Sequence, residues 1–164
     1  VVDICRVEPQ QIPGLQELLR EYSAWALGLA EDAADAPTFF QFDTEIETLP
    51  GPYAKPSGCL LVASLDEDIV GCVAFKPLEG ETCELKRLFV RPTARGHQIG
   101  QKLVSALIGE ARQAGYHRMY LDSYVLMTHA HDVYRGEGFK DVAPPPDFPD
   151  YLKPVVVFME RELV

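Results

Sequence analysis

Apolar positions recur with two different periods along the chain, and each change of period predicts a new element. Val1 to Val7 alternates weakly between apolar and polar residues and reads as a first strand, stopped at Pro9. From Gln10 the period lengthens. Ile12, Leu15, Leu18, Leu19, Tyr22, Ala26 and Leu29 form a helical stripe, with Pro13 in the first turn, where a missing N–H is tolerated. Glu31 to Pro37 reads as an acidic, Ala-rich loop. A second short helix is predicted from Phe39 to Leu49 on Phe42, Ile46 and Leu49, and Pro50-Gly51-Pro52 ends it. Cys59 to Leu65 and Ile69 to Lys76 are apolar runs joined by Asp66-Glu67-Asp68, which is a hairpin pattern. A turn at Glu79-Gly80-Glu81 then leads into Cys83 to Val90, completing an antiparallel meander of three strands.

In that third strand the alternation slips. Cys83 and Leu85 are in phase, Leu88 and Val90 are in phase, and the two pairs are out of step around Lys86 and Arg87. One extra residue in a period of two is the mark of a β-bulge, which twists a strand and frees backbone groups. Helical period returns with Ile99, Leu103, Ala106, Leu107, Ala111 and Ala114, opposite a polar face of Gln101, Lys102, Ser105, Arg112 and Gln113. Gly115 caps this helix, and Arg118 to Ser123 reads as a strand. A strand-helix-strand connection of this length is a parallel crossover, so that strand should lie beside the bulged one and be splayed from it. Thr128 to Arg135 is a short helix, Pro144 to Asp150 a Pro-rich loop, and Val155 to Met159 a last strand.

Length and composition narrow the class. With 164 residues the chain suits one domain, residues 1–164, with one real core. No apolar run approaches the roughly 20 residues of a membrane span, and no basic segment followed by an apolar stretch opens the chain, so a soluble, cytoplasmic protein is expected. The four cysteines, Cys5, Cys59, Cys72 and Cys83, lie in strand-like segments without zinc spacing and are expected as buried reduced thiols. His129 and His131, two apart on a helix, face different ways, and no metal is expected. The net charge of −10 argues against nucleic acid as a partner. It is unevenly spread. Residues 1–50 carry many acids but only Arg6 and Arg20 as bases, whereas Lys86, Arg87, Arg91, Arg95, Lys102 and Arg112 gather around the bulged strand and the following helix, against Glu110 alone.

Between strand and helix lies Arg95-Gly96-His97-Gln98-Ile99-Gly100. Small residues let backbone approach a ligand, and a helix N-terminus offers unpaired N–H donors and the positive end of its dipole. A polyphosphate suits this turn, while the dinucleotide G-x-G-x-x-G and the P-loop GKS/T are both missing. The strand-turn-helix resembles the acetyl-CoA-binding core of the GNAT superfamily of N-acetyltransferases, whose pyrophosphate loop reads Q/R-x-x-G-x-G/A. Arg95 and Gly100 match its ends and Gln98 stands at its middle glycine. Tyr134-x-x-x-Gly138-Phe139 matches the Y-x-x-x-G-F of the family's next element, with Ala130 at a small-residue position and Met127 where many members carry Asn. The resemblance covers roughly residues 59 to 140, and the remainder only by order of elements. It implies an α/β (α+β) GNAT fold, with a mixed, mainly antiparallel central sheet of about six to seven strands flanked by helices and a bulged, splayed strand pair. It further implies acetyl-CoA as co-substrate, its phosphates on Arg95, Gly96, His97, Gln98, Ile99 and Gly100. The pantetheine arm would lie along Leu88, Phe89 and Val90, pairing with the free amides of Leu88 and Val90.

Acetyl transfer to an amine needs a neutral nucleophile, stabilisation of an oxyanion and a proton for the departing thiolate. The N–H of Val90 is the candidate for the thioester oxygen, and Tyr134 for the proton, since a phenol near pKa 10 is close to a thiol near 8.5. Glu84, six residues before Val90, is at the position where several family members place the base, often acting through water; its plain structural role would be a strand glutamate paired with Lys86 or Arg118. Ser123 is placed to touch cofactor or to cap the next turn. Asp32, Asp35, Asp43 and Glu45 are candidates to attract a cationic amine, or form a solvated face. Tyr53, Tyr151 and the Pro144 to Asp150 loop are candidates to wall the acceptor site. The favoured reading is direct acetyl transfer to a primary amine, a small one rather than a peptide, in a monomer or homodimer with no nucleic-acid or membrane partner. Its alternatives are a non-catalytic acyl-CoA-binding or sensor module, and an enzyme acting on protein N-termini or lysines.

Overall fold

The computed structural model describes residues 1–30, 33 and 37–164, residue 38 by its backbone only. Its strands are β1 (Val2–Arg6), β2 (Cys59–Leu65), β3 (Asp68–Pro77), β4 (Thr82–Val90), β5 (Arg118–Tyr124), β6 (Lys140–Asp141) and β7 (Val156–Glu162). The helices are α1 (Ile12–Leu27), α2 (Phe42–Glu47), α3 (Ile99–Gln113) and α4 (Thr128–Gly136). The strands form one seven-stranded sheet in the order β1-β2-β3-β4-β5-β7-β6. All neighbours run antiparallel except β4 and β5. The expected meander is present, and β1 extends it at the outer edge. The second helix is shorter than Phe39 to Leu49, because the chain passes through a left-handed residue at Gln41 (φ 55°) before winding begins.

Helices cover both faces of the sheet, so the single core of the sequence reading is divided by the sheet into two. On one face Leu103, Leu107 and Ala111 of α3 pack on Leu61, Val73 and Leu85. On the other, Leu15, Leu18, Leu19 and Tyr22 of α1 pack on Leu60, Val62, Cys72 and Phe89. Each fully buried leucine contributes about 2 kcal/mol by removing its side chain from water. The thiols of Cys59, Cys72 and Cys83 are free and buried as expected, but Cys5 is exposed. It lies on an edge strand, on the alternate face that also leaves Asp3 in solvent. Among the described residues no helix is long and apolar enough to cross a membrane.

Candidate functional site

The slip in the sequence pattern is a bulge in the structure. Cys72 pairs with Phe89 and Ala74 with Lys86, so Arg87 and Leu88 together face Val73 across the ladder. Arg87 takes a left-handed conformation (φ 67°) to insert the extra residue. Downstream of the bulge β4 parts from β5: the parallel pairing covers only Thr82–Arg118, Cys83–Met119 and Glu84–Tyr120. The N–H of Arg91 donates to Val70 O at 2.8 Å, toward β3, and strand alternation turns the amides of Val90 and Leu88 the other way, into the split.

A cleft of about 130 Å³ occupies the split. Leu88, Phe89, Val90, Arg95 and Gly100 line it, as do Trp25 of α1 and Met127 at the start of α4. Around its mouth Arg95, Gly96, His97 and Gln98 are exposed, whereas the Ile99 side chain is buried in the core, which leaves only its backbone for a ligand. Gly96 has φ 96° and Gln98 φ 58°. A Cβ on Gly96 would meet nothing within 4 Å, so glycine serves the backbone angle there. Gln98 holds the left-handed angle that the family pattern fills with glycine, and α3 begins at the next residue. The Arg95 guanidinium stacks 5.3 Å above the Trp25 ring, and its Nε donates to Val90 O at 3.3 Å, which fixes the cation beside the cleft. This exposed turn, with its helix N-terminus and steadied arginine, fits a polyphosphate, and the narrow cleft beyond it fits an extended chain.

At its inner end the cleft shares Leu88, Met127 and Ala130 with a cavity of about 20 Å³, also lined by Tyr134, Asp122 and Ser123. A space of that size holds about one water molecule. Tyr134 is 5 % exposed, and burial pushes its phenol well above the usual range, so it is a neutral hydrogen-bond donor at any working pH. Ser123 does not cap the following turn: its Oγ shares a 2.9 Å hydrogen bond with His131 Nε2 of α4. Burial holds His131 below its ordinary pKa, so it stays neutral there. Glu84 is not in the lining of this cavity; its Oε1 lies 3.7 Å from Lys76 Nζ. The carboxylate in the cavity wall is Asp122, which the sequence reading passed over. Burial and then the charge of Glu84 raise the Asp122 pKa. The signal was an aspartate amid the strand residues RMYLDS, in alternation with Met119 and Leu121, where β-propensity disfavours it.

Several basic residues are committed elsewhere. Arg87 is 4 % exposed and grips Glu45 of α2 with two bonds, Nε–Oε2 at 2.6 Å and a terminal nitrogen to Oε1 at 2.9 Å, with its guanidinium 4.1 Å from the centre of the Phe42 ring. Arg91 pairs with Glu21 of α1 at 2.6 Å, and Arg112 donates to Leu163 O at 2.9 Å. The acidic N-terminal half and the basic middle are thus joined through the tertiary structure. Glu45 is engaged with Arg87, Asp43 is exposed on α2, and Asp32 and Asp35 lie outside the described residues. Tyr53 is 2 % exposed, packed in the core, and does not wall an open site; Tyr151 is exposed. Among the described residues no group of His, Cys, Asp and Glu is arranged to hold a metal ion.

A parallel strand pair opened by a bulge, with a helix N-terminus at the mouth of the opening, is the architecture of acyltransferases that draw on a coenzyme A thioester. The family described as the Acetyltransferase (GNAT) family matches residues 15–139, and the chain belongs to it. An uncharacterised N-acetyltransferase of Schizosaccharomyces pombe is 35 % identical over 159 residues, covering 94 % of this chain and 90 % of that protein. A GNAT-family acetyltransferase of Staphylococcus aureus superposes with a TM-score of 0.78 at 20 % identity, over 100 % of both chains. The PaiA N-acetyltransferase of Thermoplasma acidophilum, solved in complex with coenzyme A, superposes at 0.71 with 17 % identity over 99 % of both. These two structures share the fold. The protein is an acyltransferase of this family.

Proposed function

We propose that the protein transfers an acetyl group from acetyl-CoA directly to a primary amine of a small acceptor. One observation carries the reading: three neighbouring hollows share lining residues in series. The cleft and the inner cavity share Leu88, Met127 and Ala130, and the cavity shares Lys86 and Arg87 with an outer basin on the α2 side. A thioester entering from one side and an amine from the other therefore meet beside Tyr134.

Arg95 and the backbone N–H groups at the start of α3 hold the phosphates, with Gly96, His97, Gln98, Ile99 and Gly100 forming the turn. The amides of Leu88 and Val90 face the split, where they pair with the pantetheine arm, Phe89 supports that strand from the core below, and the Val90 N–H serves the thioester oxygen as charge develops on it. Asp122, under the charge of Glu84, forms the proton-accepting side; a single water in the cavity relays the proton from the amine. The amine nitrogen bonds to the carbonyl carbon, the C–S bond breaks, and Tyr134 donates its O–H toward the departing sulfur.

Calorimetry with acetyl-CoA, followed by an assay of CoA-thiol release against a panel of small amines and short peptides, tests the reading. Tight binding with amine-dependent release is the expected result. Binding without release from any amine would leave an acyl-CoA-binding module instead, and absence of binding would overturn the site as a whole. Tyr134→Phe should lower kcat by about tenfold or more while leaving acetyl-CoA affinity unchanged. An unaltered kcat would remove Tyr134 from the mechanism.

A further inference from the structure

The outer basin differs in charge from the acidic surface expected to draw in a polycation. Its polar lining includes Lys76 at the end of β3, Lys86 and Arg87 of β4, and Gln41, Thr44 and Glu45 of the α2 segment. Glu45 is the carboxylate among these, and it is held by both bonds to Arg87. Lys76 is only loosely matched, 3.7 Å from Glu84, a residue outside the basin lining. Lys86 is half-buried, lines both basin and inner cavity, and makes no hydrogen bond or ion pair among the described residues, the carboxylates of Glu84 and Asp122 acting on it only through space. Burial holds the Lys86 pKa below its ordinary value despite those carboxylates, so an anion bound at hydrogen-bond distance would stabilise its ammonium. Asp122 lines the same inner cavity as Lys86 and has the right charge for an incoming ammonium group. Positive charge on the basin side and negative charge on the cavity side form the complement of a zwitterion.

We infer that the acceptor is a primary amine carrying a carboxylate, of the amino-acid type, with its carboxylate on Lys86 and Lys76 in the basin and its amine directed past Asp122 toward Tyr134. The inference rests on the acetyltransferase reading and narrows it. It separates this acceptor from polyamines and aminoglycosides, which would bring positive charge against two lysines. It also separates it from peptide N-termini, whose α-carboxylate is replaced by an amide.

The test compares free amino acids with their methyl esters and with the corresponding decarboxylated amines, in CoA-release kinetics with saturating acetyl-CoA. The acids should be preferred in kcat/KM by about tenfold or more, the scale of one lost charge-assisted hydrogen bond. Lys86→Met should raise KM for the acids by a similar factor, leave the esters unaffected and so erase the preference, while Lys86→Arg keeps it. Lys76→Met provides the same comparison should Lys86→Met fail to fold, and calorimetry with acetyl-CoA on each variant reports an intact cleft. Aminoalkylphosphonates form a further arm: turnover at or above that of the carboxylates would overturn the assignment of a carboxylate. Equal kcat/KM for acids and esters, better turnover of polyamines, or an equal loss on acids and esters in Lys86→Met would overturn the inference while leaving the transferase intact. Absence of release from every amine would overturn the transferase reading, and this inference with it.

Discussion

Arg87 illustrates how much one residue can carry in this fold. Its left-handed backbone makes the bulge, at a cost of about 1–2 kcal/mol for a residue with a Cβ, and its guanidinium anchors α2 through Glu45. Burial by itself would raise the Glu45 pKa, but hydrogen bonds and charge from Arg87 overcome it and hold the carboxyl below its ordinary value of 4.5. The unfolded chain therefore takes up this proton at a higher pH than the folded one. The resulting stabilisation is present above about pH 4.5 and is lost as pH falls through the lower folded value. Glu45→Gln, which leaves the buried cation without its carboxylate, should lower stability at pH 7 by about 3 kcal/mol and flatten the acid side of the stability profile. Denaturant titrations of both proteins at pH 7 and pH 4 check this; an acid slope equal to the parent's would mean that other carboxylates set it. At this scale the bulge was legible in the sequence, as were Arg95 and Tyr134 as candidates, because each sits in a local pattern; the fold puts Arg95 at the cleft and Tyr134 at the inner cavity. Asp122 was not, since which carboxylate reaches the cavity depends on how far β4 and β5 stay paired before they part.

Among the elements, the turn into α3 departs from the family's loop pattern at Gln98. Gln98 occupies φ 58° where a glycine would be unstrained, and its side chain is exposed. Gln98→Gly removes the Cβ strain but loosens the unfolded chain, so the net gain should be small, up to about 1 kcal/mol. Gln98→Val, β-branched at the same angle, should fall about 1 kcal/mol below the parent. Thermal denaturation of the two variants, with acetyl-CoA affinity retained in Gln98→Gly, is the measurement; a stable Val variant would mean that the turn adopts another conformation. The long helices α1 and α3 and the hairpin strands were readable because their periodicity extends over several turns or alternations. Shorter elements were not. The two residues of β6 have no period of their own and form a strand only because β7 lies beside them at Glu160 and Met159, while α2 contracted because its start is set by the backbone at Gln41.

At the scale of the molecule, the split between β4 and β5 divides a sheet that is otherwise fully paired, and a ligand in the split would complete it. A ligand that binds only the folded state at 100 times its Kd adds about 2.7 kcal/mol to stability, which for a domain of this size raises Tm by about 5–10 °C. Acetyl-CoA should produce a shift of that order, and hydrogen exchange should slow at Leu88 and Val90 more than at β1 or β7. A rise in Tm with protection confined to other strands would place the cofactor elsewhere.

The sequence by itself determined the order of elements, the slip in β4, the crossover through α3 and the family, because each is written in residues close together along the chain. Only the tertiary structure decided which charges are left outside ion pairs. Glu21 and Glu45 come from the acidic half of the chain, and in the fold they pair with Arg91 and Arg87. Outside those pairs, Lys86 and Asp122 line the inner cavity together. Pairing across 70 and 42 positions of sequence cannot be read from local pattern. It follows from the sheet, which brings β4 beneath α1 and α2 and thereby sets which charges line the hollows.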